Sequence, residues 1–309
     1  MLLTHANADV DAVASVLGFA ELLSRTRGGA IKALFPEGVG LEARRLLMLL
    51  EKLAEIRVVR SNSDIGMPPR AADVCIILDT ASRNQLRKAQ AVLQDCSRIV
   101  LIDHHSEGDL AQIADIAIVD PSASSTSEIV LLIAHKLGVT LSPDTLTALI
   151  AGVVSDTKRF SHGVSPETFL LIAWALSSGG SYRNALELLR HEAPPSARIA
   201  RLKCLSRLVI MRGDQLYVCI SHVGAYESEC ASTLIGIGCD AAFVASDDKS
   251  TKSVRVVFRA KSGFVEGVGD VYSSILSTLV KRFGGGPVSY THLRAHETSL
   301  HLVCRLLLE

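Results

Sequence analysis

The chain has no excess charge of either sign: 32 Lys and Arg stand against 32 Asp and Glu, a formal net charge of zero over 309 residues. Without a global basic field it cannot gather long nucleic acid by counterion release, so any nucleotide it handles must be held by a local site. It also lacks a basic tract for gripping long single strands, which favours short substrates. Its seven cysteines include no CxxC pair. The start at Met1 runs straight into fold sequence, with no charged segment and apolar signal core. These absences lead to the expectation of a cytoplasmic protein with reduced thiols. The longest apolar runs, such as Val74–Leu78 and Ile99–Ile102, fall far short of the roughly 20 residues a bilayer requires, so no membrane partner is expected. Internal repeats and low-complexity tracts are absent too. What is present is 48% hydrophobic and 21% charged residues, enough to bury a large core in two domains.

Short β-branched or apolar runs at Ile31–Phe35, Val74–Asp79, Ile99–Asp103 and Ile116–Val119 alternate with helical patterns at Asp11–Leu23, Leu41–Leu53, Gln85–Leu93 and Ser127–Leu137. That alternation predicts an α/β fold, a parallel sheet with helices on both faces. Helices are expected to follow at Pro143–Val154 and Pro166–Ser177. Glu192-Ala-Pro-Pro-Ser breaks the pattern and marks a linker at 191–200 between a first domain, 1–190, and a second, smaller α/β domain, 201–287. The second is expected to have strands near Leu208–Met211, Gln215–Ser221, Ala241–Ala245 and Ser253–Ala260, and helices near Glu227–Leu234 and Val268–Phe283. An active-site cleft between the two domains is the expected architecture.

Acidic residues collect where strands should end, which is where ligands bind in open α/β sheets. In Thr4-His5-Ala6-Asn7-Ala8-Asp9-Val10-Asp11, the residues His5, Asn7, Asp9 and Asp11 are spaced by two, so an extended backbone would present all four to one side. Asp9 and Asp11 also suit helix caps. Asp79 closes the most apolar strand and Asp103-His104-His105 closes another, while Asp156 follows a helix. Each cluster is unremarkable alone. Together, Asp9, Asp11, Asp79 and Asp156 would converge as four negative charges, which is strongly unfavourable without compensation. Two divalent cations supply it. Mixed carboxylate and imidazole donors suit Mn²⁺, with Mg²⁺ or Co²⁺ as alternatives. Paired metals about 3.5–4 Å apart activate water and clamp the oxygens of an in-line phosphoryl displacement, so phosphate-ester hydrolysis is the chemistry implied.

His5-x-Asn7-x-Asp9-x-Asp11-Ala12 with Ser15, then Asp79, then Asp103-His104-His105, then Asp156-Thr157 resemble the four ordered motifs of the DHH phosphoesterases. Pro121-Ser-Ala-Ser-Ser-Thr-Ser-Glu-Ile resembles the family's helix entry beside the site, and also reads as a capping box, Ser125 with Glu128. The resemblance implies that His5 and Asp9 hold one metal, that Asp11, His104 and Asp156 hold the other, and that Asp79 bridges them. It implies further that Asp103 orients the histidine pair and that His105 faces the scissile phosphate.

In the second domain, Val254-Arg-Val-Val-Phe-Arg-Ala and Gly284-Gly285-Gly286 resemble the family's DHHA1 substrate-binding domain. Arg255 and Arg259 lie four apart on one strand face, where the planar fork suits phosphate, and Arg259 best matches the family's substrate contact. The three glycines would let backbone N–H groups approach a phosphate or base. A histidine follows those glycines in the family, whereas Pro287 follows here. The segment from Val288 to Glu309 resembles translated sequencing-library adapter, so it is expected to be foreign, with natural sequence missing after Gly286. The functional expectation is a two-metal phosphoesterase of small nucleotides: short single-stranded RNA, 3′-phosphoadenosine 5′-phosphate (pAp) or cyclic dinucleotides. No long duplex partner is expected, and a homodimer is admitted. The alternatives are an inorganic pyrophosphatase or exopolyphosphatase, and a non-catalytic nucleotide-sensing module.

Overall fold

The computed structural model describes residues 1–60, 74–106, 108–190, 193–213, 216–248, 253–268, 286–293 and 297–304. The chain forms two compact units, Met1–His191 and Glu192–Glu309. Among the described residues, no helix is long and apolar enough to cross a membrane.

The first unit is built on six strands: β1 (Leu2–Leu3), β2 (Lys32–Pro36), β3 (Glu55–Val59), β4 (Val74–Leu78), β5 (Arg98–Asp103) and β6 (Ile116–Val119). They lie in the order β3-β2-β1-β4-β5-β6, and every neighbouring pair is parallel. Parallel strands covered on both faces read as continuous apolar runs, and the side-chain period of two divides them between two cores. Leu2, Ile76, Leu78 and Ile102 pack on one face, whereas Leu3, Cys75, Ile77 and Leu101 pack on the other. The first face is covered by α1 (Val10–Thr26), α3 (Thr126–Lys136) and α4 (Pro143–Asp156), which share its cluster. Helix α2 (Arg44–Leu50) joins β2 to β3, while α5 (Pro166–Ser177) and α6 (Tyr182–Leu188) close the unit.

The helix starts follow local chemistry. Asp9, Ser125, Ser142 and Ser165 are N-caps whose side-chain oxygens accept a backbone N–H three residues on, satisfying donors that a first turn leaves unpaired. The strand order places the carboxyl ends of β1 and β4 side by side, because the chain runs outward from β1 to β3 and then returns beside β1 as β4. This reversal is the topological switch point where open α/β sheets bind ligands.

The second unit contains α7 (Pro195–Ser206), β7 (Val209–Arg212), β8 (Tyr217–Val223), α8 (Glu227–Gly236), β9 (Ala241–Asp248), β10 (Ser253–Lys261), α9 (Ser262–Val268), β11 (Gly286–Leu293) and β12 (Glu297–Cys304). Its sheet order is β11-β12-β10-β9-β8-β7. Among the described residues, only β8 and β9 pair in parallel. Cys204, Cys219, Cys230, Leu234 and Val257 lie in its core.

Several expectations are corrected. The proline pair read as a linker opens α7, since proline fits the first turn of a helix where its missing N–H costs nothing. Gln85–Leu93 is not an α-helix but part of a 3₁₀ run, Arg83–Asp95, broken at Arg87 by φ 51°. Strand β3 and helices α6 and α9 were not expected, and the expected helix 268–283 lies, beyond Val268, outside the described residues. Four of the seven thiols expected to be reduced are paired, Cys75 with Cys96 and Cys219 with Cys239, at Cα separations of 5.8 and 6.0 Å. Partners 20 or 21 residues apart carry no short motif, and only the fold brings them within bridging distance. The segment from Val288 pairs as antiparallel strands, β12 against both β10 and β11.

Candidate metal centre

The loop after β1 is fixed before any side chain is considered. Ala6 N–H donates to the Gln85 carbonyl at 2.8 Å, Asn7 N–H to Pro36 at 3.0 Å, and Ala8 N–H to Gly38 at 3.1 Å. The loop is therefore not the straight strand that the i, i+2 spacing suggested. Asn7 has φ 54°, and its side-chain amide donates to Glu37 Oε2 at 3.4 Å. Asp9 caps α1, accepting from Ala12 N–H at 3.1 Å. Asp11 lies in the first turn of α1, fully buried. Ser15 bonds within α1, to the Ala12 carbonyl.

Asp79 follows β4 in the left-handed region, φ 55°, with its N–H on the Ile102 carbonyl at 3.0 Å. Asp tolerates that conformation better than most residues. Asp103 ends β5, His104 and His105 follow, and Asp156 is the last residue of α4. The ligand atoms of His5, Asp9 and Asp79 lie within 4.8 Å of one another, as do those of Asp11, His104 and Asp156, and those of Asp79, His104 and His105. All six residues expected as ligands thus meet in two adjoining triads, and His104 Nε2, at 3.6 Å from Asp79 Oδ1 and 3.4 Å from Asp156 Oδ2, links them.

Each imidazole is oriented from behind. His5 Nδ1 lies 3.0 Å from the Ala6 carbonyl, leaving Nε2 facing Asp79 Oδ2 at 3.6 Å and Asp9 Oδ1 at 3.9 Å. The His104 ring has a hydrogen bond to the Ala123 backbone. Asp103 Oδ1 accepts from His104 N–H at 2.9 Å, His105 N–H at 3.3 Å and His105 Nδ1 at 2.8 Å. Its side chain therefore orients the His105 ring, while it touches His104 only through the backbone.

The start of α3 was read as an entry beside the site, and its contacts are closer than that. Thr126 N–H donates to Asp11 Oδ2 at 2.8 Å and Ser127 N–H to Oδ1 at 2.9 Å, while Thr126 Oγ1 donates to Asp79 Oδ1 at 2.9 Å. Unpaired N–H groups and the positive end of the helix dipole suit a carboxylate there. Gly152 in α4 is the matching requirement: a Cβ there would stand 2.1 Å from Ser127 Oγ and 2.9 Å from Asp11 Oδ1. A glycine inside a helical pattern was the available signal for Gly152. For Thr126 and the Ala123 carbonyl the signal was the Pro121–Ile129 segment as a whole, which did not single out either group.

The donors fit divalent cations on two grounds. Among the described residues His104 Nε2 is buried without a hydrogen-bond partner, a costly state for a ring nitrogen unless it faces an electrophile. The carboxylates also repel one another. Burial, then the charges of Asp79 and Asp156, hold the Asp11 carboxyl well above its ordinary range. Burial, then Asp79 and Asp9, push Asp156 up to about 7. Burial opposes charge on His5, but hydrogen bonds to Asp79 and Asp9 outweigh it and raise the ring to about 10. Burial lowers His104, leaving its ring nitrogen free to donate a lone pair, whereas the Asp103 hydrogen bond raises His105.

The residues expected to hold substrate lie in the second unit. Arg255 and Arg259 sit on β10, Arg255 exposed and Arg259 half-buried with Nη2 on Ser228 Oγ at 3.0 Å. Gly284 and Gly285 are outside the described residues, and Gly286 opens β11.

Comparison with known proteins agrees with this geometry. Residues 1–153 match the DHH family, N-terminal domain, a stretch that holds every residue expected as a ligand except Asp156. An uncharacterized protein of Methanocaldococcus jannaschii is 34% identical over 84% of this chain and 76% of its own length. The cyclic-di-AMP phosphodiesterase GdpP of Geobacillus thermodenitrificans is 27% identical over 93% of this chain and 43% of its own. The bifunctional oligoribonuclease and PAP phosphatase NrnA of Thermus thermophilus is 26% identical over 63% and 55%. The chain thus spans less than two thirds of either named enzyme. An exopolyphosphatase-related protein from Bacteroides fragilis superposes with a TM-score of 0.63 at 17% identity, covering 97% of this chain and 85% of that one, a likeness of fold. With its strand order, its ordered Asp and His motifs and these matches, the chain belongs to the DHH family.

Proposed function

We propose that this protein is a divalent-metal phosphoesterase that hydrolyses phosphate esters of small nucleotides: short oligoribonucleotides, pAp or cyclic dinucleotides. The observation that carries the reading is the buried, unpartnered Nε2 of His104 set 3.6 Å from Asp79 and 3.4 Å from Asp156. His5 and Asp9 would hold one cation, Asp11, His104 and Asp156 the other, and Asp79 would serve both. Mn²⁺ suits the mixed donors. Such a pair supplies an activated water and charge neutralisation on a phosphoryl oxygen. The chain's own part is to fix the donors: Ala6 and Ala123 orient imidazoles, the α3 N-terminus holds Asp11, and Asp103 keeps a proton on His105 Nδ1. His105, half exposed at 48%, would present its raised, readily protonated ring to substrate phosphate. In the second unit Arg255 and Arg259, with Gly284, Gly285 and Gly286, are proposed to hold the rest of the substrate. The names of the GdpP and NrnA relatives favour this substrate class. The test is hydrolysis of a panel of linear dinucleotides, pAp and cyclic dinucleotides with and without Mn²⁺. Metal-dependent release of product, lost in Asp79→Ala, is expected; equal turnover in that variant contradicts the assignment.

A further inference from the structure

Beside the metal centre the backbone adopts a conformation that the ligand set does not require. Thr157 caps α4, and the next three residues, Lys158, Arg159 and Phe160, have φ of 47°, 60° and 65°. One left-handed residue, usually glycine, is enough to end a helix. Three in succession, none of them glycine, crowd Cβ against the following carbonyl and persist only where the surroundings over-determine them.

The surroundings do so here. Thr157 is buried, its Oγ1 accepts from Phe160 N–H at 3.0 Å, and its carbonyl accepts from Ser161 at 2.9 Å and His162 at 3.1 Å. The Phe160 ring packs on Phe169 and Tyr182, with centroids 5.4 and 6.1 Å apart. The base of the turn is thus pinned on both sides, and its tip carries two exposed cations, Lys158 and Arg159. Neither side chain has a hydrogen bond or ion pair among the described residues, unlike Arg25, Arg57 and Arg83, which sit 2.6–2.7 Å from carboxylates. Consecutive Cα atoms are about 3.8 Å apart, so these residues lie no farther than about 8 and 12 Å from Asp156 along the chain. The three triads of the centre are built from carboxylates and imidazoles. An anion larger than the scissile phosphate gains from cations at its edge.

We propose that Lys158 and Arg159 form a clamp for a second phosphate of the substrate. Resting on the phosphoesterase reading above, this narrows it to compounds with a phosphate beside the scissile one: nucleoside bisphosphates and 5′-phosphorylated dinucleotides. The strained turn keeps both cations presented toward solvent instead of letting them fold back onto α4.

Glycine substitution tests this cleanly, because glycine accepts φ > 0 and relieves the turn while removing the cation. In the full chain with Mn²⁺, the Lys158→Gly/Arg159→Gly double variant is compared with wild type for melting temperature, for calorimetric binding of adenosine 3′,5′-bisphosphate, and for KM on that compound and on p-nitrophenyl phosphate. The clamp predicts at least tenfold weaker bisphosphate binding at an unchanged or higher melting temperature, a KM loss at least tenfold larger for the bisphosphate than for the monoester, and partial retention in Arg159→Lys. A wild type that binds the bisphosphate without hydrolysing it, and loses that binding in the double variant, keeps the clamp and refutes the phosphoesterase. Wild-type-like binding by the double variant, equal losses on both substrates, or no bisphosphate binding by wild type overturns the clamp.

Discussion

Thr126 Oγ1 donates to Asp79 Oδ1 at 2.9 Å across 47 residues of sequence, with both groups buried. The hydroxyl occupies one lone pair of the carboxylate that both triads approach, and so directs its remaining lone pairs toward them. Thr126→Val keeps the β-branched shape and removes the donor. Mn²⁺ affinity should fall by about tenfold, the usual scale for a group that orients a metal ligand, with a small change in melting temperature. Calorimetric titration of the metal into the variant checks it, and affinity equal to wild type would remove Thr126 from the site.

The metal-free centre should lose stability as pH rises. Asp156 is raised to about 7, so the folded state binds its proton more tightly than the unfolded chain, and a penalty builds from the ordinary carboxylate range up to that value. His5 is raised to about 10; the stability from its protonated form is whole below its ordinary value of 6.5 and is lost as pH climbs toward 10. Both effects run the same way. The melting temperature of the metal-free protein should therefore decline between pH 5 and 9, and bound Mn²⁺ should flatten the decline. Near pH 7, metal uptake should release protons, seen as a binding enthalpy that depends on the buffer's ionisation enthalpy. Binding without proton release would contradict the shifted groups.

Glu128 is 5% exposed and joins three elements without a cation. Its Oε2 accepts from Ser124 N–H at 3.0 Å, Thr168 Oγ1 at 3.0 Å and the Ser124 hydroxyl. Glu128→Ala strands these donors and leaves a void between α3 and α5, which should cost about 2–4 kcal/mol in urea unfolding. Mn²⁺ affinity should weaken as well, because the loop of Ser124 also carries the Ala123 carbonyl behind His104. Stability within about 0.5 kcal/mol of wild type would show that the network is dispensable.

Removal of residues 288–309 touches the second unit alone. Every proposed metal ligand lies in Met1–His191, so the shortened protein should bind Mn²⁺ as tightly as the whole chain. Loss of β12 exposes one edge of β10, and any decline should appear in the unfolding of the second unit. Weakened metal binding would tie the tail to the centre.

The parallel sheet was legible because burial on both faces writes itself as unbroken apolar runs, and the helix starts were legible because caps are local chemistry. Residues 83–95 misled for the same reason: an amphipathic pattern with Gln85 and Leu93 suits an α-helix, but tertiary contacts broke it at Arg87. The proline pair before α7 was ambiguous between stop and start, and only the packed chain resolved it.

By itself the sequence determined which side chains stand at or just past the strand ends of the first sheet, His5, Asp79 and Asp103 among them, since apolar runs stop where polar residues begin. Tertiary structure alone decided that β4 returns beside β1, that Asp11 meets the first N–H groups of α3, and that His104 Nε2 faces two carboxylates without a hydrogen bond. The physical reason is range: caps, turns and apolar periods act within a few residues, whereas a carboxylate cluster is assembled from segments separated by about half the chain and exists only once the sheet has closed.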